Sequence, residues 1–428
     1  MRCLDVFITT ALLLSTSEAR PRPPPSALRI QVADRPEYLD GTALDVTNTA
    51  GDGNGDVIQA APRRRFPGRP HRRPTGFVAF GDSYSAGIGT GVNGTEGPCR
   101  RGLHAHPMLI NEDLACQGTP TSTSFQFLSC TGSRIQDLLL NREPSQIGEF
   151  NTTHTADFAL LSIGGNDLGF FDIMNSCIFR FYSFYSGTCE EALHRAEVQL
   201  AGPDFENYLR LAIMEILDRV HWEKRPWFTI TVTGYARFFN AETEECDDCS
   251  FGVWWRGPQL KRELRSKMNE MVLAVNDKIR RSVNAVNRDF VTPRVLFVDY
   301  DSAFEGHRFC EPNVTEPDYT RNETWFFLVG GSDNADDATM EAQRFTEGDL
   351  LPLSSPLIKP HVCMDAAAKS GDWGQLSLCM MATAAEQDPT LRLSAGEQVA
   401  EGTSMWYVPT YYGQTFHPVG SFLNPRLL

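Results

Sequence analysis

Four short apolar runs, each closed by a turn-forming residue, constrain this chain most. Phe77-Val-Ala-Phe80 ends at Gly81, and Asp157 to Ile163 (DFALLSI) ends at Gly164. Phe228 to Thr233 (FTITVT) ends at Gly234, and Val295 to Val298 (VLFV) ends at Asp299. Runs this short and apolar on both faces read as parallel strands covered by helices on two sides. Helical periodicity lies between them. Leu260, Leu264, Met268, Val272, Val275, Ile279 and Val283 recur every three or four residues, and 205 to 220 (FENYLRLAIMEILDRV) carries a similar stripe. Both stripes read as core packing. The alternation predicts an α/β fold, a three-layer α/β/α sandwich around a mostly parallel sheet of flavodoxin-like type. Chemistry in such sheets collects in loops at the carboxyl ends of the strands. Attention therefore falls on the loops after Phe80, Ile163 and Thr233.

Ahead of that domain, the chain reads as exported. Arg2 is followed by a short apolar stretch, Val6 to Leu14, and by Ser17-Glu18-Ala19, a small-x-small cleavage site. Residues 1–19 are thus expected to be a signal peptide. Cys3 leaves with it, so 11 cysteines become an even set that suits disulfides in an oxidising compartment. Sequons at Asn93, Asn151, Asn313 and Asn322 agree with a secreted glycoprotein. Residues 20–75 hold ten arginines against six acids, many prolines and few aromatics, and read as a pro-segment or arm that does not fold alone. The folded domain is expected over 76–428.

Charge and hydropathy exclude other classes. A net charge of −15 argues against a nucleic-acid partner, and no apolar run is long enough for a membrane span.

Three motifs and one histidine carry candidate chemistry. Gly81-Asp82-Ser83-Tyr84-Ser85-Ala86-Gly87 places a serine at a strand-to-helix turn. Gly164-Gly165-Asn166-Asp167 offers a neutral amide donor at the same sheet edge, as an oxyanion requires. Ser129-Cys130-Thr131-Gly132-Ser133-Arg134 adds a glycine whose amide could serve as a second donor, and Phe416-His417-Pro418-Val419-Gly420 puts a histidine in a loop. Any one alone is a common turn.

In this order, Ser83, Gly132, Asn166 and His417 resemble the SGNH (GDSL-type) serine hydrolases, in particular their secreted fungal and actinobacterial members. Segments 233–239 (TGYARFF), 260–272 and 304–311 resemble the family as well. The resemblance implies Ser83 as nucleophile, His417 as general base, and the Ser83 and Gly132 amides with the Asn166 side chain as the oxyanion hole. It implies a secreted esterase or lipase, monomeric, without cofactor or metal, acting on small-molecule, lipid or acylated-glycan esters. Asp82 and Asp167 are expected to order their turns. The family's usual acid, three residues before the histidine, is here Gln414. A carboxylate partner would have to come from elsewhere, with no compelling candidate; the alternative is a Ser-His dyad whose histidine is oriented by a backbone carbonyl or by Gln414, and the acid is left blank.

Cys99 with Cys130, Cys177 with Cys189, and Cys363 with Cys379 are expected pairs. Cys116 and Cys310 would join Cys246 and Cys249 in an unassigned order. The insertion 313–379 could form a lid or wall over the site, and the acidic stretch 330–349 reads as a solvated surface loop. Tyr84, Phe170, Trp254, Trp255 and Trp406 are aromatics available to line a pocket. Two rival functions stand beside the hydrolase. One is an inactive SGNH scaffold binding carbohydrate or lipid, supported only by Gln414. The other is a metal-dependent phosphoesterase, opposed by the lack of clustered Asp and His ligands.

Overall fold

The computed structural model describes residues 74–91, 97–116, 124–179, 188–251, 258–318, 323–329, 331, 333 and 410–420. The expected signal peptide, nearly all of the arginine-rich segment, Asn93, Asn322, Cys363, Cys379, Trp254, Trp255 and Trp406 lie outside them.

In chain order the strands and helices are β1 (Phe77–Gly81), α1 (Ser83–Ala86), α2 (His106–Cys116), β2 (Gln126–Phe127), α3 (Gln146–Glu149), β3 (Phe158–Ser162), α4 (Phe170–Ile173), α5 (Cys189–Ala201), α6 (Asp204–Arg219), β4 (Thr229–Thr233), α7 (Arg262–Asn287), β5 (Val295–Val298) and α8 (Thr410–Gly413). The sheet order is β2-β1-β3-β4-β5 and every pair is parallel. All four expected strands are present. The fifth, β2, is two residues long and escaped the sequence reading because Gln126 and Phe127 acquire strand character only by pairing with Val78 and Ala79.

Alternation along β1 and β3 sends side chains to two cores. Val78, Phe80, Ala159 and Leu161 enter the larger one with the buried faces of α6 and α7. Phe77, Ala79 and Leu160 face the other way, against Ile110 and Leu114 of α2. Helices thus cover both faces, as expected of an α/β/α sandwich. Strands β4 and β5 depart from the two-faced burial read from sequence: Ile230, Val232, Val295 and Phe297 are buried while their alternating neighbours are only half-buried among the described residues.

Crossovers from β1 and from β3 run to opposite sides, so the sheet order reverses between these two central neighbours. Such a switch point opens a crevice at the carboxyl ends of the strands. Gly81, which closes β1, has φ +141 and lies so close to β3 that a Cβ there would sit 2.2 Å from the Ser162 carbonyl oxygen. Only glycine fits this approach.

Candidate active site

The loop after β1 carries Ser83. Asp82 caps α1, its carboxylate accepting the Tyr84 amide, and Gly87 ends the short helix in the left-handed region. The sharp turn leaves Ser83 at the head of the helix, facing the loops that follow β3 and β5. Gln146, from α3, clasps Gly81 from behind: its side chain accepts the Gly81 amide and donates to the Gly81 carbonyl, each at 2.9 Å.

Residues far away in sequence converge on this serine. His417 Nε2 lies 2.6 Å from Ser83 Oγ. On the far side of the ring, Nδ1 lies 3.0 Å from the Gln414 carbonyl oxygen and 3.1 Å from that of Thr415. A carbonyl can only accept, so Nδ1 carries the proton and Nε2 presents its lone pair to the serine hydroxyl. The Gln414 side chain points elsewhere and donates to the Gly331 carbonyl at 2.6 Å. Of the alternatives left open by sequence, the geometry therefore gives the backbone carbonyls. Both Ser83 and His417 are buried, and burial pushes the imidazole down to about 4 despite the two carbonyl contacts, which favour its charged form.

The His417 segment is held by tertiary contacts. Phe416 adopts φ +64, a conformation costly for a bulky residue. Its carbonyl accepts the Tyr84 hydroxyl at 2.7 Å, and its amide donates to Phe327. Phe327 in turn donates to the His417 carbonyl, and Val419 donates to Trp325. Trp325 and Phe327, within the stretch 313–379, thus brace the backbone on either side of His417. Asp333 corrects one expectation. Set within the stretch read as a solvated loop, its carboxylate is largely buried and accepts the amides of Gly91 and Gly420 while contacting His104 Nδ1 at 2.6 Å.

Opposite the histidine stand the two expected donor loops. Gly132 has φ +86, and its amide, like that of Ser83, meets no acceptor among the described residues. The Asn166 side chain donates one hydrogen to the Ser133 carbonyl at 3.0 Å, which leaves its second amide hydrogen for a ligand. Asp167 braces more than its own turn: both carboxylate oxygens accept the Ile135 amide, and burial raises its pKa to about 7. The Cys99–Cys130 disulfide is formed beside Gly132, where the Thr131 amide donates to Cys99.

A cleft of about 630 Å³, its open mouth included, runs from Ser83 and Asn166. One wall is a single face of α7, with Met268, Met271, Val272 and Val275 at helical spacing. Leu168, Phe170, Ile173 and Met174 form another. Tyr84 and Phe170 are thus pocket aromatics, and both rings also touch His417, at centroid distances of 4.8 and 6.0 Å.

Cys177–Cys189 and Cys246–Cys310 are bonded, the second resolving part of the unassigned set. Cys249 forms no disulfide among the described residues. No group of three His, Cys, Asp or Glu side chains able to hold a metal ion occurs among the described residues, and no described helix is long and apolar enough to cross a membrane.

Known proteins share stretches of this chain. No protein-family model matches it. A lipase of Streptomyces rimosus is 26% identical over 242 residues, 56% of this chain and 75% of that protein. Lipase 1 of Streptomyces coelicolor is 33% identical over 172 residues, 39% of this chain and 55% of that protein. The resemblance to the SGNH hydrolases is borne out. Among solved structures, phospholipase A1 from Streptomyces albidoflavus NA297 aligns with a TM-score of 0.43 at 25% identity, covering 59% of this chain and 87% of that one. In SGNH terms the four expected positions gather at one end of the sheet. Sequence reasoning assigned no part to Gln146, Asp333 or the hydroxyl of Tyr235, although Tyr235 falls within a segment that resembles the SGNH family.

Proposed function

We propose that the protein is a secreted carboxylic ester hydrolase that works through a Ser83 acyl-enzyme. The 2.6 Å approach of His417 Nε2 to Ser83 Oγ, at the mouth of an apolar cleft, carries this reading. His417 takes the serine proton as Oγ attacks the ester carbonyl. Charge developing on the carbonyl oxygen is held by the Ser83 and Gly132 amides and by the free hydrogen of the Asn166 amide. The carbonyl carbon rehybridises, His417 returns the proton to the departing alkoxide, and the alcohol leaves. Water then attacks the acyl-enzyme with His417 again as base. The Gln414 and Thr415 carbonyls hold the ring and its tautomer throughout, though with less stabilisation of the imidazolium than a carboxylate would give.

The walls of the cleft suit an acyl chain. Methionines and aliphatic side chains from α7 and α4 present no hydrogen-bonding demand along the chain. The two relatives named lipase support a lipid-type ester over an acylated glycan. The scaffold reading rested on Gln414, and the carbonyl acceptors on His417 Nδ1 remove that support. Export is supported by the N-terminal signal and by sequons at Asn151 and Asn313, both exposed in the structure. A p-nitrophenyl alkylphosphonate tests the function. It should add covalently at Ser83, mapped by mass spectrometry, with faster inactivation as the alkyl chain lengthens into the cleft. Labelling elsewhere, or none, would refute the reading.

The pH dependence comes from the buried imidazole. His417 is competent as a base only when neutral, and its pKa lies near 4 in the folded protein against 6.5 for a free histidine. The acid limb of kcat/KM is therefore expected near pH 4, measured with a non-ionising ester. Between pH 6.5 and 4 the unfolded chain binds a proton that the folded one refuses, so His417 also makes stability fall as pH drops through that window.

A further inference from the structure

One hydroxyl joins the serine turn to an oxyanion loop. Tyr235, two residues beyond β4, is buried, and its hydroxyl donates to Asp82 Oδ2 at 2.6 Å while accepting the Gly165 amide at 3.0 Å. Asp82 immediately precedes Ser83, and Gly165 immediately precedes Asn166. These two contacts therefore span the residues that supply the nucleophile and the side-chain oxyanion donor. The phenol is itself fixed. Its backbone is gripped by Asn276 of α7, whose side-chain oxygen accepts the Tyr235 amide and whose amide nitrogen donates to the Tyr235 carbonyl, both at 2.8 Å. Its ring packs edge-on to that of Tyr84, with centroids 4.9 Å apart.

We propose that Tyr235 is a positioning residue for the hydrolytic site, its hydroxyl setting the distance between Ser83 and the Asn166 oxyanion donor through Asp82 and Gly165. The inference rests on the serine-hydrolase reading above. The physical argument is one of registry. During attack, Ser83 Oγ must reach the carbonyl carbon while Asn166 meets the carbonyl oxygen, and these two atoms are one bond apart. Loops from adjacent strands drift relative to each other unless something ties them, and a displacement of about 1 Å costs on the order of 10²-fold in rate. Main-chain hydrogen bonds between β1 and β3 end with Asp82 donating to Ser162, so they do not reach Gly165. The phenol supplies the tie beyond that point. Without it, the Gly165 amide and a buried Asp82 oxygen would both lose a partner in a water-poor place.

Tyr235→Phe keeps the ring and its edge contact while deleting the hydroxyl. Expected is a fall in kcat of about 10- to 100-fold on a short p-nitrophenyl ester, with KM within about twofold. Asp82→Asn should produce a loss of similar kind. The Tyr235→Phe/Asp82→Asn double variant should lose little more than the worse single one, because both changes break the same link. Thermal melting controls for folding, and the Asp82→Asn arm stands if Tyr235→Phe does not fold. A kcat within twofold of the parent, a loss confined to KM, or multiplicative losses in the double variant would overturn the proposal. If the parent protein is not labelled at Ser83 by the phosphonate, the functional reading has failed first, and the two failures are thereby distinguished.

Discussion

Ser83→Ala is expected to abolish ester hydrolysis, lowering kcat by about 10⁴-fold or more while leaving the fold intact. The large effect follows from the architecture of the turn. Ser83 lies just beyond the carboxyl end of β1, and its hydroxyl is the one placed 2.6 Å from His417 Nε2. Ser85, two residues on, cannot substitute, because its hydroxyl is buried and lies 2.6 Å from that of Ser129. Removing one hydroxyl oxygen from a site bordering an open cleft leaves no large void, so the melting temperature should stay within a few degrees. Hydrolysis of short and long p-nitrophenyl esters by parent and variant measures it. Equal rates in the two proteins would remove Ser83 as nucleophile.

Asn166→Ala is the second large effect, with kcat reduced by about 10²- to 10³-fold and KM little altered. Among the described residues the side chain donates one hydrogen bond, to the Ser133 carbonyl, and its other hydrogen is left to meet charge that appears only as the tetrahedral species forms. Its contribution therefore belongs to the transition state and shows in kcat. Loss of the Ser133 contact adds a stability cost of about 1 kcal/mol, visible in denaturant titration. Asn166→Asp separates the two roles. It keeps the size of the side chain but sets a carboxylate against the developing oxyanion, so activity should fall at least as far as in the alanine variant. An aspartate variant with near-parent kcat would exclude Asn166 from the oxyanion hole.

What could be read from the chain, and what could not, divides along a physical line. Strands buried on both faces leave unbroken apolar runs, so β1 and β3 declared themselves, whereas β2 exists by virtue of its partner. Ser83, Gly132, Asn166 and His417 could be picked out because the role proposed for each demands a residue type within a local pattern. Tyr235 and Gln146 were not. Their hydrogen bonds close over 153 and 65 residues, and neither tyrosine nor glutamine announces such a partner locally. Asn269 and Asn276, seven residues apart on α7, were likewise invisible beside the apolar stripe, yet each pairs with a backbone amide and carbonyl in the segment after β4. Asp333 was misjudged because acidic surroundings in sequence do not reveal that its own carboxylate is tied to Gly91, His104 and Gly420.

The acceptors on His417 Nδ1 belong to the main chain, and a carbonyl oxygen has no codon. An alanine scan of this protein is expected to find no acidic side chain behind the histidine, since substitution at Gln414 or Thr415 leaves the peptide oxygen in place. What can be inherited or lost at that position is a shape: the path of the backbone through the left-handed Phe416, guarded by Tyr84 and Phe327. Variation that bends this path would disarm the histidine without touching any residue that a catalogue of catalytic groups would name.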